Sequence, residues 1–224
     1  MQQDDTMGRL LAAALSHVPF DGWSDRTLTS AAEEAGIDPA LARALFPRGG
    51  VDLALAYHAQ GDAGMAARLA ATDLAAMRFR DRIAAAVRLR LELADRELVR
   101  RGTTLFALPQ HAADGAAAIW RTADKIWTAL GDSSKDFNWY TKRATLSAVY
   151  GSTVLYWLGD DTAEHEASWA FLDRRIDDVM QFEKFKASAR ENPFGKALLA
   201  GPIKILESIR PPRLRKDLPG HHSD

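Results

Sequence analysis

The sequence contains no cysteine. That excludes a disulfide framework, a thiolate nucleophile and any zinc site built on sulfur, and it is compatible with a reducing compartment. An excess of either charge is also missing, since 29 Lys and Arg face 30 Asp and Glu for a net charge of -1. Global electrostatics therefore draw the chain neither to nucleic acid nor to membrane, and any such partner must be read from local asymmetry. No stretch approaches the ~20 uninterrupted apolar residues that a membrane-spanning helix needs. The opening MQQDDTMGRLLAAAL places two acids where a secretory signal requires positive charge, and it lacks the Arg-rich, acid-poor character of a transit peptide. The expected location is the cytoplasm.

Proline is scarce where helices are expected. None falls between Pro47 and Pro109 or between Pro109 and Pro193, whereas five lie from Pro193 onward. Two long helical regions and a distinct tail follow. No window sustains strand alternation, while apolar residues recur at helical spacing, as in Ile119, Ala123, Ile126, Trp127 and Leu130. With 47% hydrophobic and 26% charged residues, this patterning specifies an all-α protein with a sizeable core. Helices are expected over 5–17, 27–35, 39–46, 51–77, 80–101, 112–130, 136–158, 162–188 and 194–209. Asp38 and Pro39 form a helix start, Gly36 lies just past the preceding helix end, and Asp161 with Glu164 resembles a capping box before Trp169 and Leu172.

The stretch GRLLAAALSHVPFDGWSDRTLTSAAEEAGIDPALARALFP carries an apolar first helix and two short helices around Gly36. It resembles the helix-turn-helix domain of the TetR regulators. Leu41, Leu45 and Phe46 are expected to pack back onto Leu10, Leu11, Ala14 and Leu15. The charges oppose DNA binding. Residues 1–60 hold four cations, Arg9, Arg26, Arg43 and Arg48, against eight acids, for a net -4, and affinity for DNA rests mostly on phosphate neutralisation. The would-be reading helix, DPALARALF, offers one cation and no Asn, Gln, Ser or Thr for base edges. It also lacks the tyrosine and histidine that TetR regulators usually show before the phenylalanine. A helix-turn-helix that no longer serves DNA fits better than a working one.

The helix after DFNWY has two unlike faces. Trp139, Leu146, Tyr150, Thr153 and Trp157 present large groups on one side; Tyr140, Ala144, Ala148, Gly151 and Leu155 form a second, mostly small, stripe. The broad stripe suits either ordinary core or the wall of an apolar cavity. Trp139 and Tyr140 at a helix start suit either interface anchors or a hydrophobic staple under the preceding loop.

Residues 131–180, GDSSKDFNWYTKRATLSAVYGSTVLYWLGDDTAEHEASWAFLDRRIDDVM, resemble the signature region of the ubiquinone-biosynthesis accessory proteins, the ninth of the Coq series, which are TetR-like in fold. The likeness is strongest in DFNWYTKR and in Trp169 to Ile176. It implies an accessory lipid binder without chemistry of its own, which holds an isoprenoid quinone intermediate and presents it to the di-iron hydroxylase acting late in the pathway. The family's partner surface includes the DFNWY segment, so Asp136, Trp139 and Tyr140 carry over as contact candidates. A homodimer is also implied, because the last two body helices of TetR-like folds pair between subunits, and Ala144, Ala148 and Gly151 suit close approach. Helical phase names Leu89, Leu93, Phe106, Leu108, Ile119 and Trp120 as pocket candidates, with Leu146, Tyr150, Thr153, Trp157 and Trp169.

No enzyme signature stands beside these features. The six histidines are scattered, without a metal-binding pair on one helix, and no nucleophile elbow, P-loop or dinucleotide fingerprint appears. The acids Asp160, Asp161, Glu164 and Glu166 with His165 read as helix capping rather than a metal site. Neither a metal nor a cofactor is expected, only a bound isoprenoid quinone or other lipid.

Charge shifts near the end. Residues 183–218 hold nine cations against four acids, for a net +5. Within them Phe194, Leu198, Leu199, Ile205, Leu206 and Ile209 gather on one side, with Lys196 and Lys204 opposite. Such a basic amphipathic helix either folds back or lies on an anionic membrane, and its basicity, ~1 kcal/mol per cation near such a surface, favours the membrane. The organisation expected is therefore three parts: helix-turn-helix-like helices over 1–50, a lipid-binding and dimerising body over 51–190, and a basic amphipathic tail over 191–224. The tail would hold the protein peripherally on the inner membrane.

Overall fold

Helix starts in this chain are set by side chains that capture backbone N–H groups. The computed structural model describes residues 2–191 except 75, 135 and 136. The tail helix with Phe194, Lys196, Leu198, Leu199, Lys204, Ile205, Leu206 and Ile209, and the contact candidate Asp136, lie outside the described residues. Among the described residues there are nine α-helices, one 3-10 turn and no strand. They are α1 (Gln2–Asp21), α2 (Asp25–Ala35), α3 (Pro39–Leu45), α4 (Gly50–Ala71), α5 (Phe79–Glu92), α6 (Arg96–Phe106), α7 (Ala112–Ala129), α8 (Phe137–Leu158) and α9 (Glu166–Glu191).

The first three helices follow their sequence signals. Ser24 caps α2 by accepting from the Thr27 N–H at 3.2 Å, and Gly36 ends it in the left-handed region at φ 63°. Asp38 caps α3 through Ala40 and Leu41 N–H groups at 2.9 and 3.0 Å. Phe46 is 1% exposed and packs with Leu10, Leu11 and Ala14, as the patterning implies. Leu41 does not join them, because it is 46% exposed, and the buried residue of α3 is Ala42. Pro19 sits in the last turn of α1, so the helix runs to Asp21 rather than stopping near residue 17; a proline there removes one terminal hydrogen bond instead of breaking an interior.

Two core clusters meet around α4 and α6. One joins α1, α2 and α3 to the start of α4 and to Leu98; the other gathers the end of α4 with α5, α7, α8 and α9. Gly50 is required where α4 begins, since a Cβ there would lie 2.2 Å from the Trp23 carbonyl carbon. The end of α1 and the turn before α2 are pinned to α6, by Arg101 donating to the Pro19 carbonyl at 2.6 Å and Trp23 Nε1 donating to the Leu98 carbonyl at 3.1 Å.

Three expected boundaries are corrected. The helix expected over 80–101 is two, because Asp95 accepts from the Glu97 and Leu98 N–H groups at 2.8 and 3.0 Å and so starts α6. The helix expected over 51–77 ends at Ala71, where the Thr72 hydroxyl turns back onto the Arg68 carbonyl. Before α9 the organiser is Asp160 rather than Asp161. Its carboxylate accepts from Thr162 and Ser168 backbone and hydroxyl groups, and these bonds hold it well below the usual carboxylate range.

Candidate functional site: an apolar cavity over a buried ion pair

Four helices leave a space between them that side chains do not fill. α4, α6, α7 and α8 line a cavity of about 400 Å³ that opens to the surface. Small residues make the room: Gly102 on α6, Gly115 and Ala116 on α7, and Gly151 on α8. Larger apolar groups, among them Phe106, Ile119, Val154 and Leu155, shape its walls. Gly115 cannot be larger, because a Cβ there would lie 2.7 Å from that of Phe106.

One side of this cavity is polar. Tyr57 and His58 on α4, Arg90 on α5 and Tyr150 on α8 all line it. Beneath them Arg90 and Asp62 are 3% and 1% exposed and share a 2.7 Å hydrogen bond. Arg90 also donates to the His58 carbonyl at 3.1 Å, and Thr122 donates to Asp62 at 2.8 Å. The guanidinium fits only because residue 61 is glycine, whose Cβ would stand 2.6 Å from its central carbon. Burial pushes His58 down to about 4, against the partial pull of Asp62, so the imidazole is neutral at pH 7. A buried, paired charge under an apolar chamber gives one wet end to a mostly dry space, the arrangement that orients an amphiphile.

A second, smaller cavity of about 240 Å³ lies between α5, α7, α8 and α9, with Ile83, Trp127, Val149 and Ile176 in its walls. The pocket candidates divide among these places. Phe106, Ile119 and Tyr150 line the larger cavity and Leu146 the smaller. Leu89, Leu93 and Trp169 pack on the second core cluster, in which Trp157 is buried. Thr153 is buried with its hydroxyl donating to the Val149 carbonyl at 2.7 Å, and Leu108 is 44% exposed. Trp120 stands apart, in contact with the start of α8. The polar members Tyr57, His58, Asp62 and Arg90 were not named from sequence. Their signal was a His and an Asp four apart on α4, facing an arginine inside the apolar repeat of α5.

The start of α8 forms an aromatic surface. Trp139 and Tyr140 meet edge-on at 4.8 Å, and Trp120 on α7 lies 6.0 and 6.4 Å from them. Trp139 and Tyr140 are half-buried. Arg143 lies beneath, its guanidinium 4.0 Å from the Trp139 ring. Arg143 bonds Asp124 and Asp132, and Lys142 bonds Asp132 at 2.8 Å. Burial alone would raise Asp132, but hydrogen bonds from Lys142, Ser134 and Arg143 outweigh it and hold the carboxyl well below its ordinary range. The loop before α8 is thereby tied to the helix it introduces. Among the described residues no group of three or more His, Asp and Glu is placed to hold a metal, and no helix is long and apolar enough to cross a membrane.

Comparison with known proteins places these helices in a family context. Residues 112–183, which contain all of α7 and α8 and most of α9, match the COQ9 family model. The chain is 33% identical over 80% of its length to the mitochondrial ubiquinone biosynthesis protein COQ9 of Drosophila melanogaster. It is 31% and 29% identical over 89% of its length to the COQ9 proteins of Rattus norvegicus and Homo sapiens. It spans 57%, 66% and 64% of those three proteins. In structure it resembles a TetR transcriptional regulator from Nitrosomonas europaea, with a TM-score of 0.64 at 16% identity, covering 79% of this chain and 99% of that one. The chain is a homologue of the COQ9 proteins, resembling that family in sequence and the TetR regulators in fold.

Proposed function

We propose that this protein serves ubiquinone biosynthesis as a lipid-binding accessory protein, holding an isoprenoid quinone intermediate and presenting it to the di-iron hydroxylase of the pathway. The observation that carries this reading is the cavity of about 400 Å³ among α4, α6, α7 and α8, apolar along its walls and polar at one end. Its size suits a ring and the first part of a tail. Similarity to proteins named for ubiquinone biosynthesis supports the choice of lipid. The chain is proposed to need no catalytic residue, metal or cofactor of its own, the chemistry residing in the hydroxylase.

Trp120, Trp139 and Tyr140 are the proposed hydroxylase contact, being large, half-buried and held in place from below. A second copy of the chain is proposed to cover the outer side of α8 and α9. There Ala144 and Ala148 are exposed, and Tyr156 stacks on Phe171 at 4.5 Å. Membrane contact is assigned to the basic tail beyond residue 191, from its sequence pattern. Removing residues 192–224 is expected to abolish binding to anionic liposomes while leaving the helical circular-dichroism signal; unchanged binding contradicts that assignment.

A regulator that senses an apolar effector is the second reading, favoured by the fold alone. The cations of the first three helices and of the turn before α4 weaken it. Arg9 donates to the Ala35 carbonyl, Arg26 faces Asp21, Arg43 pairs with Asp25, and Arg48 with Asp52 and Asp114. Each is already engaged, which leaves little for phosphate. Mass spectrometry of the organic extract from detergent-free protein, made in a quinone-producing host, tests the lipid reading. Co-purifying isoprenoid quinone or a precursor is expected; a clean extract, with no binding of added quinone or hydroquinone, contradicts it.

A further inference from the structure

His58 lines the proposed lipid cavity with its two ring nitrogens in different situations. Nε2 lies 2.7 Å from Thr122 Oγ1 and 3.2 Å from the Ala118 carbonyl oxygen. A carbonyl only accepts, so Nε2 carries the ring proton. Thr122 agrees, because its hydroxyl hydrogen goes to the Asp62 carboxylate at 2.8 Å and its oxygen is left to accept. With the ring neutral, Nδ1 keeps a bare lone pair. The contacts of the ring to described residues all run through Nε2, and the ring lines the cavity. The neighbouring Tyr57 hydroxyl accepts from the Asp95 N–H at 2.9 Å, which leaves its own hydrogen for a ligand oxygen.

We infer that His58 Nδ1 accepts a hydroxyl hydrogen from the ligand, so that the cavity selects the reduced, hydroxyl-bearing form of a tailed ring, a phenol or hydroquinone, over the corresponding quinone. The inference rests on the lipid reading above and narrows it. A quinone oxygen offers only lone pairs. Setting it against Nδ1 opposes two acceptors and leaves both without a donor in a partly dry site. Tyr57 does not discriminate, because both ring forms supply an oxygen for its hydrogen. A site built around a ligand hydroxyl rejects the analogue that lacks one, here by about ten- to a hundredfold.

The test is anaerobic isothermal titration calorimetry of the delipidated full chain with decylhydroquinone and with decylbenzoquinone. Wild-type protein is expected to bind the hydroquinone at least ~10-fold more tightly. His58→Phe, which keeps a ring but removes the acceptor, should bind both forms alike. Equal affinity in the wild type, or a preference that survives in His58→Phe, overturns the selection and leaves the lipid reading standing. Binding of neither probe overturns both. Independently of any variant, long-range ¹H–¹⁵N correlations in wild-type protein should show the Nε2–H tautomer of His58, and a proton on Nδ1 overturns the assignment.

Discussion

Arg90 and Arg143 are buried to nearly the same degree, 3% and 2% exposed, yet they support regions of different character. Arg90 has one carboxylate, Asp62, and backs an open chamber. Arg143 has two, Asp124 and Asp132, and backs an aromatic surface that fills the space above it. α8 joins the two regions: Trp139 stands near its start and Tyr150 eleven residues on, near its middle, about 16 Å apart along the axis. The comparison teaches that one helix can carry a packed aromatic surface and the wall of an open cavity. What differs is what stands above the buried cation, a packed aromatic surface over Arg143 or an open cavity beside Arg90. The proposed presentation of a lipid to a partner would run along this helix.

The largest test of the difference is removal of the single carboxylate. Asp62→Ala leaves the Arg90 charge buried without a partner and should cost about 3–5 kcal/mol in urea or thermal unfolding. A loss below ~1 kcal/mol would show that the cavity already admits enough water to solvate Arg90.

pH sharpens the comparison next. His58 faces Asp62 and Arg90 and titrates near 4 in the folded chain, against an ordinary 6.5. The unfolded chain therefore binds the extra proton first. Stability from this group is complete above about pH 6.5 and falls as pH drops toward 4, by about 3 kcal/mol in all. Denaturation of His58→Phe between those limits should lose this part of the slope, whereas wild-type protein keeps it. Identical slopes would place His58 in contact with water.

Trp139→Ala separates the two regions most cleanly. Hydroxylase affinity should fall by about 2 kcal/mol, as for an aromatic anchor, while lipid content stays unchanged. Loss of lipid with retained partner binding would reverse the assignment of the two regions along α8.

Much of the frame was legible because it depends on local signals. Gly36, Asp38 and Pro39 act on neighbours within four residues, and the structure shows the expected helix end and start in place, while the Ser24 cap that begins α2 two residues early was not read. Asp95 was not legible as a helix start, since an acid inside a continuous apolar repeat looks like any exposed helix position. Leu108 was grouped with wall residues although it lies outside every expected helix; it falls just past the end of α6, where no helical face turns it inward, and stands 44% exposed. The polar end of the cavity depends on pairings across 28 to 64 positions, from Asp62 to Arg90 and His58 to Thr122. Periodicity identifies which face of α4 turns inward, but not what stands opposite. Trp139 left two readings open, and Arg143 explains why: its ring is both packed from below and available from outside.

The central claim is that lipid occupies the chamber beside Gly151. A Cβ there would meet only Ile119, at 3.6 Å, so a larger side chain extends into the space without striking the backbone. The decisive measurement is the amount of isoprenoid lipid co-purifying per protein in wild type and in Gly151→Phe, at matched thermal stability. The account predicts that Gly151→Phe loses most of the lipid while keeping hydroxylase binding; undiminished lipid in this variant would contradict it.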